Sequence, residues 1–165
     1  MNKKTLALFN DAVRAGNRDY INLHINEIDL NQEDKNGLTP LLSAMVAEKW
    51  DVAERILEAG AEVDYVSKIN GFNALHHASG NGNIDFIKAL FIHKRDLKLD
   101  VKNKQGYTAL HLACMKGHLN IAVFLAVAGA KIDIRNDKGF NALGLAILNE
   151  RKEIVEWLRN LGLKE

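Results

Sequence analysis

Four glycines set the terms on which this chain can fold. Gly37, Gly71, Gly106 and Gly139 stand 34, 35 and 33 residues apart, and each opens a version of one phrase. The fullest version runs G-Y-T-A-L-H-L-A from Gly106, then Gly117-His118, then an apolar run that ends at Gly129-Ala130. G-L-T-P-L-L-S-A, G-F-N-A-L-H-H-A and G-F-N-A-L-G-L-A repeat its opening. Self-similarity at this period marks stacked helical hairpins, in which a unit buries its apolar face only against its neighbours.

Taken in order, the chain predicts five helix pairs. In the first, Leu6, Leu8, Phe9, Ala12 and Val13 share a helix face that ends at Gly16-Asn17, and Tyr20, Ile21, Leu23 and Ile25 form the second helix. Ala12 and Gly16 keep the spacing of Ala113 and Gly117, which makes this a degenerate copy suited to an N-terminal cap. In the second, Asn36-Gly37 is a turn, and Thr39-Pro40 starts a helix with a capping hydroxyl and a proline where no N–H is needed. Trp50, Val52, Ala53, Ile56 and Leu57 supply its partner helix, closed by Gly60-Ala61.

The third pair has its second helix over roughly Ile84–Phe91. It carries Lys94-Arg95 where its neighbours carry Gly-Ala, which predicts an irregular connection over His93–Leu99. In the last pair Arg159 takes the position of Leu57, Phe91 and Ala126, and a charge at a stacking position predicts a C-terminal cap.

The phrase resembles the T-P-L-H-x-A motif of the ankyrin repeat: Thr39-Pro40-Leu41 carries its first half, Ala74-Leu75-His76 and Ala109-Leu110-His111 its second. The resemblance covers nearly the whole chain. It implies an all-α ankyrin-repeat solenoid of helix-turn-helix units with projecting β-hairpin-like turns. On this reading residues 1–165 form one domain, with units at about 4–33 (N-cap), 34–66, 67–102, 103–135 and 136–165 (C-cap). It implies further that His76 and His111 hydrogen-bond the backbone of neighbouring turns, and that partners meet the turn tips and the exposed face of each first helix.

That surface supplies the candidate site. Leu38, Phe72, Tyr107 and Phe140 each follow a turn glycine and form a ladder of large apolar residues. Packing on one another or over the turns is the equal alternative. Nine and ten residues after the glycines stand Val46, Asn81, Met115, Lys116 and Leu148, of which the apolar members are not needed inside the stack. Lys102, Lys104, Lys116, Arg135 and Lys138 gather on the last two units, offset mainly by Asp137, and favour an acidic or mixed partner.

Composition narrows the chemistry. With 22 basic and 21 acidic residues the net charge is +1, which supplies no global field for nucleic acid or an anionic membrane. A single cysteine, Cys114, allows no internal disulfide and points to a reducing compartment, the cytoplasm. Export by a signal-independent route would leave no mark in the sequence. His111 and Cys114 are three apart, but no second ligand pair accompanies them and Cys114 falls at a small buried position. No G-x-S-x-G, phosphate-loop or H-E-x-x-H motif is present.

The reading is a non-catalytic, monomeric protein-interaction module without cofactor or metal, acting as scaffold, inhibitor or regulator through a concave groove and its turn tips. The alternatives are nucleic-acid binding through the basic turns of the last two repeats, and a small-ligand or enzymatic role at residues 93–99.

Overall fold

The computed structural model describes residues 3–164. Among these there are ten helices and no strands. The helices follow as pairs: α1 Lys3–Ala15 and α2 Arg18–His24; α3 Pro40–Val46 and α4 Trp50–Glu58; α5 Ala74–Asn81 and α6 Ile84–His93; α7 Ala109–Lys116 and α8 Leu119–Val127; α9 Ala142–Leu148 and α10 Lys152–Asn160.

The chain divides into two compact bodies, one of Met1–Ala74 with Lys88–Leu97, the other of Leu75–Ile87 with Lys98–Glu165. In the first, α1 packs on α2 and α3, and α3 packs on α4. Phe9, Val13, Ile21, Leu41, Met45 and Ile56 are buried there. In the second, α7 packs on α8 and α9, and α10 packs on α8 and α9. Phe86, Leu110, Ile121, Leu125, Leu143 and Leu158 are buried there. Each such side chain contributes about 1.5–3 kcal/mol relative to exposure. Ala44, Ala78, Ala113 and Ala146, at one position of the repeat, have no exposed surface at all. A larger side chain at any of them must displace a packed neighbour.

Helix starts obey the local chemistry. The Thr39 hydroxyl accepts the Leu42 N–H at 3.3 Å with Pro40 in the first turn, and Asn141 Oδ1 accepts the Gly144 N–H at 2.9 Å. At α7, Thr108 and His111 cap one another reciprocally. Between the helices of a pair the backbone takes positive φ: Gly16, Gly82 and Gly117 serve three pairs, but Glu48 (φ 54°) and Glu150 (φ 58°) serve the other two. A residue with a Cβ is strained in that region.

Three expectations are corrected. Leu8 and Leu23 lie outside the core, Leu23 being 71% exposed, because the inward stripes of α1 and α2 run through Leu6, Phe9, Val13 and Ile21. Ile25 is buried, but in a 3-10 turn, Ile25–Glu27, that follows α2. The second helix of the third pair continues past Phe91 to His93. The connection after it is anchored by buried Leu97 and by a 2.9 Å ion pair between Lys94 and Asp64.

These positions yield opposite expectations for substitution. Glu48→Gly and Glu150→Gly relieve positive-φ strain and each raises stability by about 0.5–1 kcal/mol, read as a higher urea midpoint. Ala113→Leu overpacks the α7 contact and costs about 1–3 kcal/mol. An unchanged midpoint in Ala113→Leu would contradict the packing described.

Candidate functional site

The turns that precede the first helices are narrow and closed by backbone bonds. Asp34, Asn103 and Asn136 donate their N–H groups to the carbonyls of Leu38, Tyr107 and Phe140, each at 2.9 Å. Their side chains accept in return: Asn103 Oδ1 takes the N–H groups of Gln105 and Tyr107, and Asn136 Oδ1 those of Lys138 and Phe140. Asp34 Oδ1 does the same for Asn36 and Leu38. The turn of the third pair is one residue longer and is closed by Ser67, whose N–H reaches the Phe72 carbonyl at 2.8 Å. The turns are therefore hairpin-like in their bonding, though no ladder extends from them.

Glycine is required at the corner of the turn of the fourth pair. Gly106 has φ 76°, and a Cβ there would stand 2.6 Å from the backbone nitrogen of Asp137. The Asp137 N–H donates to the Gln105 carbonyl at 3.3 Å, so this turn meets the turn of the last pair backbone to backbone.

Histidines add a second link. His111 Nε2–H donates to the Ile134 carbonyl at 2.9 Å, while its Nδ1 accepts the Thr108 N–H at 3.0 Å. These two bonds define the neutral Nε2–H tautomer. His76 Nε2–H likewise donates to the Tyr107 carbonyl at 3.0 Å. Burial holds His111 below the usual imidazole range, the Ile134 carbonyl opposes the shift, and the Lys102 ammonium adds to it. Burial lowers His76 too, against the pull of the Tyr107 and Val101 carbonyls. It pushes half-buried His77 down to about 4, with His76 adding to the shift. Cys114 is fully buried and its thiol is pushed up to about 12, which leaves no reactive thiolate at neutral pH.

The residues singled out from the sequence fall into two bodies. In the first, Leu38 and Phe72 are half-buried at their turns and Val46 is 53% exposed at the end of α3. In the second, Asn81, Lys104, Lys116 and Lys138 are exposed, Tyr107 and Met115 are half-buried, and Leu148 is 65% exposed. Tyr107 sets its ring edge-on to His111, with centroids 6.2 Å apart. Phe140 is the more open aromatic, at 38% exposure.

Phe140, Lys138 and Leu148 come together around one hollow of about 310 Å³, together with Arg135, Gly139, Asn141, Gly144 and Ile147. Gly144 and Ile147 were not anticipated. The signal was nonetheless in the sequence, since Gly144 stands where two other copies have His76 and His111.

An outer apolar surface also escaped the sequence reading. Val123, Val127, Trp157 and Leu161 line a second depression beside α8 and α10, and Val127 is 84% exposed. The run L-N-I-A-V-F-L-A-V of α8, apolar around nearly its whole circumference, was the visible sign.

Among the described residues no helix is long and apolar enough to cross a membrane, and no group of three or more His, Cys, Asp or Glu is arranged to hold a metal ion.

Comparison with known proteins places this geometry. A family model described as ankyrin repeats (3 copies) matches residues 9–103 and 95–164. Inversin of Gallus gallus is 37% identical over 82 residues, which are 50% of this chain and 7% of that protein. Ankyrin repeat and SOCS box protein 11 of Homo sapiens is 30% identical over 116 residues, 70% of this chain and 35% of that protein. The nuclear factor NF-kappa-B p105 subunit of Gallus gallus is 29% identical over 101 residues, 61% of this chain and 10% of that protein. The chain thus spans about a third or less of the length of these relatives.

The histidines make stability depend on pH with a definite sign. Unfolded imidazoles titrate near about pH 6.5 and the folded ones below it, so under that pH the unfolded chain binds more protons. Stability is full above about pH 6.5 and falls on acidification, for His77 down to its folded value of about 4. Urea midpoints at stepped pH should drop below neutrality, and His77→Gln should reduce the drop. A midpoint flat between about pH 7 and pH 5 would contradict the neutral, buried state of these rings.

Proposed function

The chain belongs to the ankyrin-repeat family, and on that premise we propose that it is a non-catalytic protein-interaction module. It holds a partner protein on its turn tips and on the exposed faces of the first helices, and it acts by scaffolding, masking or regulating that partner. The observation that carries this reading is the placement of large apolar groups on stiff supports. Tyr107 and Phe140 sit on turns closed by the Asn103 and Asn136 bonds, and Met115 and Leu148 stand at the ends of α7 and α9. A surface already held by its own hydrogen bonds loses little freedom when a partner docks, and aromatic groups are enriched among the residues that dominate such contacts.

The titratable groups support the same reading. The buried histidines hold backbone in place, and Cys114 is shielded from solvent. A single buried thiol suits the cytoplasm, where we place the protein as a monomeric domain formed by all five helix pairs.

The test is a cross-linking capture from native extract with wild type and with Tyr107→Ala/Met115→Ala, the variant first shown to melt as a folded protein. A protein held by wild type and depleted about tenfold or more with the variant is the expected result. Equal capture by both would move the site elsewhere, and recovery of nucleic acid in place of protein would overturn the reading.

A further inference from the structure

The last helix pair departs from the others at the sixth residue of the repeated phrase. Leu42, His76 and His111 occupy it in the earlier copies, and Gly144 in the last. With no side chain at Gly144, the Phe140 ring lies over the first turn of α9. A Cβ on Gly144 would stand 3.1 Å from Phe140 Cδ1. Ile147 and Leu148 continue the apolar floor one turn further along, and together with the ring they line the hollow of about 310 Å³. That volume is sufficient for one apolar side chain of a ligand.

The rim is cationic and unneutralised. Arg135 Nη1 donates to the Gly139 carbonyl at 2.6 Å, which fixes the exposed guanidinium beside the hollow and leaves its other N–H groups available. Lys102 Nζ donates to the Arg135 carbonyl at 2.8 Å, which brings a second cation to the same turn. Lys138 is exposed on the hollow's edge.

Among the described residues none of Lys102, Lys104, Arg135 and Lys138 is paired with a carboxylate. Of the neighbouring acids, Asp100 Oδ1 accepts the Lys131 N–H at 3.0 Å, and the Asp137 side chain lies beside Gly106. In the first body, by contrast, Arg14, Arg18, Lys68 and Lys94 are each met by Asp or Glu. The missing counter-charges at the last turns are those a ligand would supply.

We propose that this hollow receives an acidic segment of a protein partner, one apolar side chain seating against Phe140, Ile147 and Leu148 while flanking carboxylates meet Arg135, Lys138 and Lys102. The proposal rests on the interaction-module reading above and adds the chemistry of the partner. Arginine held in a fixed orientation suits the paired oxygens of a carboxylate, and lysines at a rim act on association rate and salt dependence. A net charge of +1 gives no long-range attraction for a polyanion, so the apolar anchor is what selects a peptide over a nucleic acid strand.

The experiment is fluorescence anisotropy of the full chain with short labelled peptides. One has Asp and Glu around a single Leu, one has Lys in place of the acids, and one is acidic with Ala in place of Leu. An oligothymidylate of similar length is the competitor. The acidic Leu peptide should bind about tenfold or more tightly than either control, and weaken with salt.

Arg135→Glu/Lys138→Glu should abolish the charge preference. Leu148→Ala, at an exposed position, and Phe140→Ala should each erase the preference for Leu over Ala. Arg18→Glu, in the first body, should change nothing.

Equal binding of the basic peptide, displacement by oligothymidylate, or self-association abolished by the same variants would each overturn the proposal. Capture that depends on Tyr107 and Met115, with no acidic preference here, would leave the interaction module standing and remove only this assignment.

Discussion

The structure depends on hydrogen bonds that tie one turn to the next. The Tyr107 carbonyl accepts a hydrogen bond from His76 Nε2–H, the Ile134 carbonyl accepts one from His111 Nε2–H, and the Gln105 carbonyl accepts one from the Asp137 N–H. The His76 and Asp137 bonds join residues in successive repeats, the His111 bond ties a helix to the end of its own unit, and both histidine rings are buried. Losing either histidine bond would leave a buried polar group unpaired, at a cost of about 1–3 kcal/mol. That penalty is why the turns keep one conformation and why the side chains they carry are presented in fixed places.

Much of this was legible because it repeats. Ala44, Ala78, Ala113 and Ala146 recur at one offset and all are fully buried, as a close helix contact demands. Thr39 and Thr108 recur at another and both cap helices. The histidine bonds followed from the resemblance alone, since spacing does not say which atom a ring nitrogen meets.

The errors fell where a local pattern had no second copy to check it. Leu8 and Leu23 were assigned inward in the degenerate first pair, and packing instead chose Phe9 and Ile21. The long run of apolar residues in α8 hid an exposed face, because hydrophobicity without a period does not say which side is covered. The hollow at Phe140 was missed for a different reason. It arises from the absence of a side chain at Gly144, and a residue list records what is present.

On the function proposed here, stability and recognition draw on the same turns without competing for the same atoms. The backbone and the Asn103 and Asn136 side chains are consumed in closing the turns, while Tyr107, Lys138 and Phe140 project from them. Substitution at the projecting positions can therefore alter recognition while the closure bonds persist. Glu48 and Glu150 show the complementary case: each carries a strained backbone that glycine bears in three other pairs, and each is exposed. Nothing in the structure explains why glutamate is kept there.

Recognition through the turns is tested most directly by titrating the isotope-labelled chain with its captured partner and following amide chemical shifts. The largest shifts should fall on the turn residues around Lys104–Tyr107 and Arg135–Phe140 and on the ends of α7 and α9, near Met115 and Leu148. Shifts confined instead to α8 and α10, around Val127 and Leu161, would contradict it. Binding would then belong to the outer apolar surface.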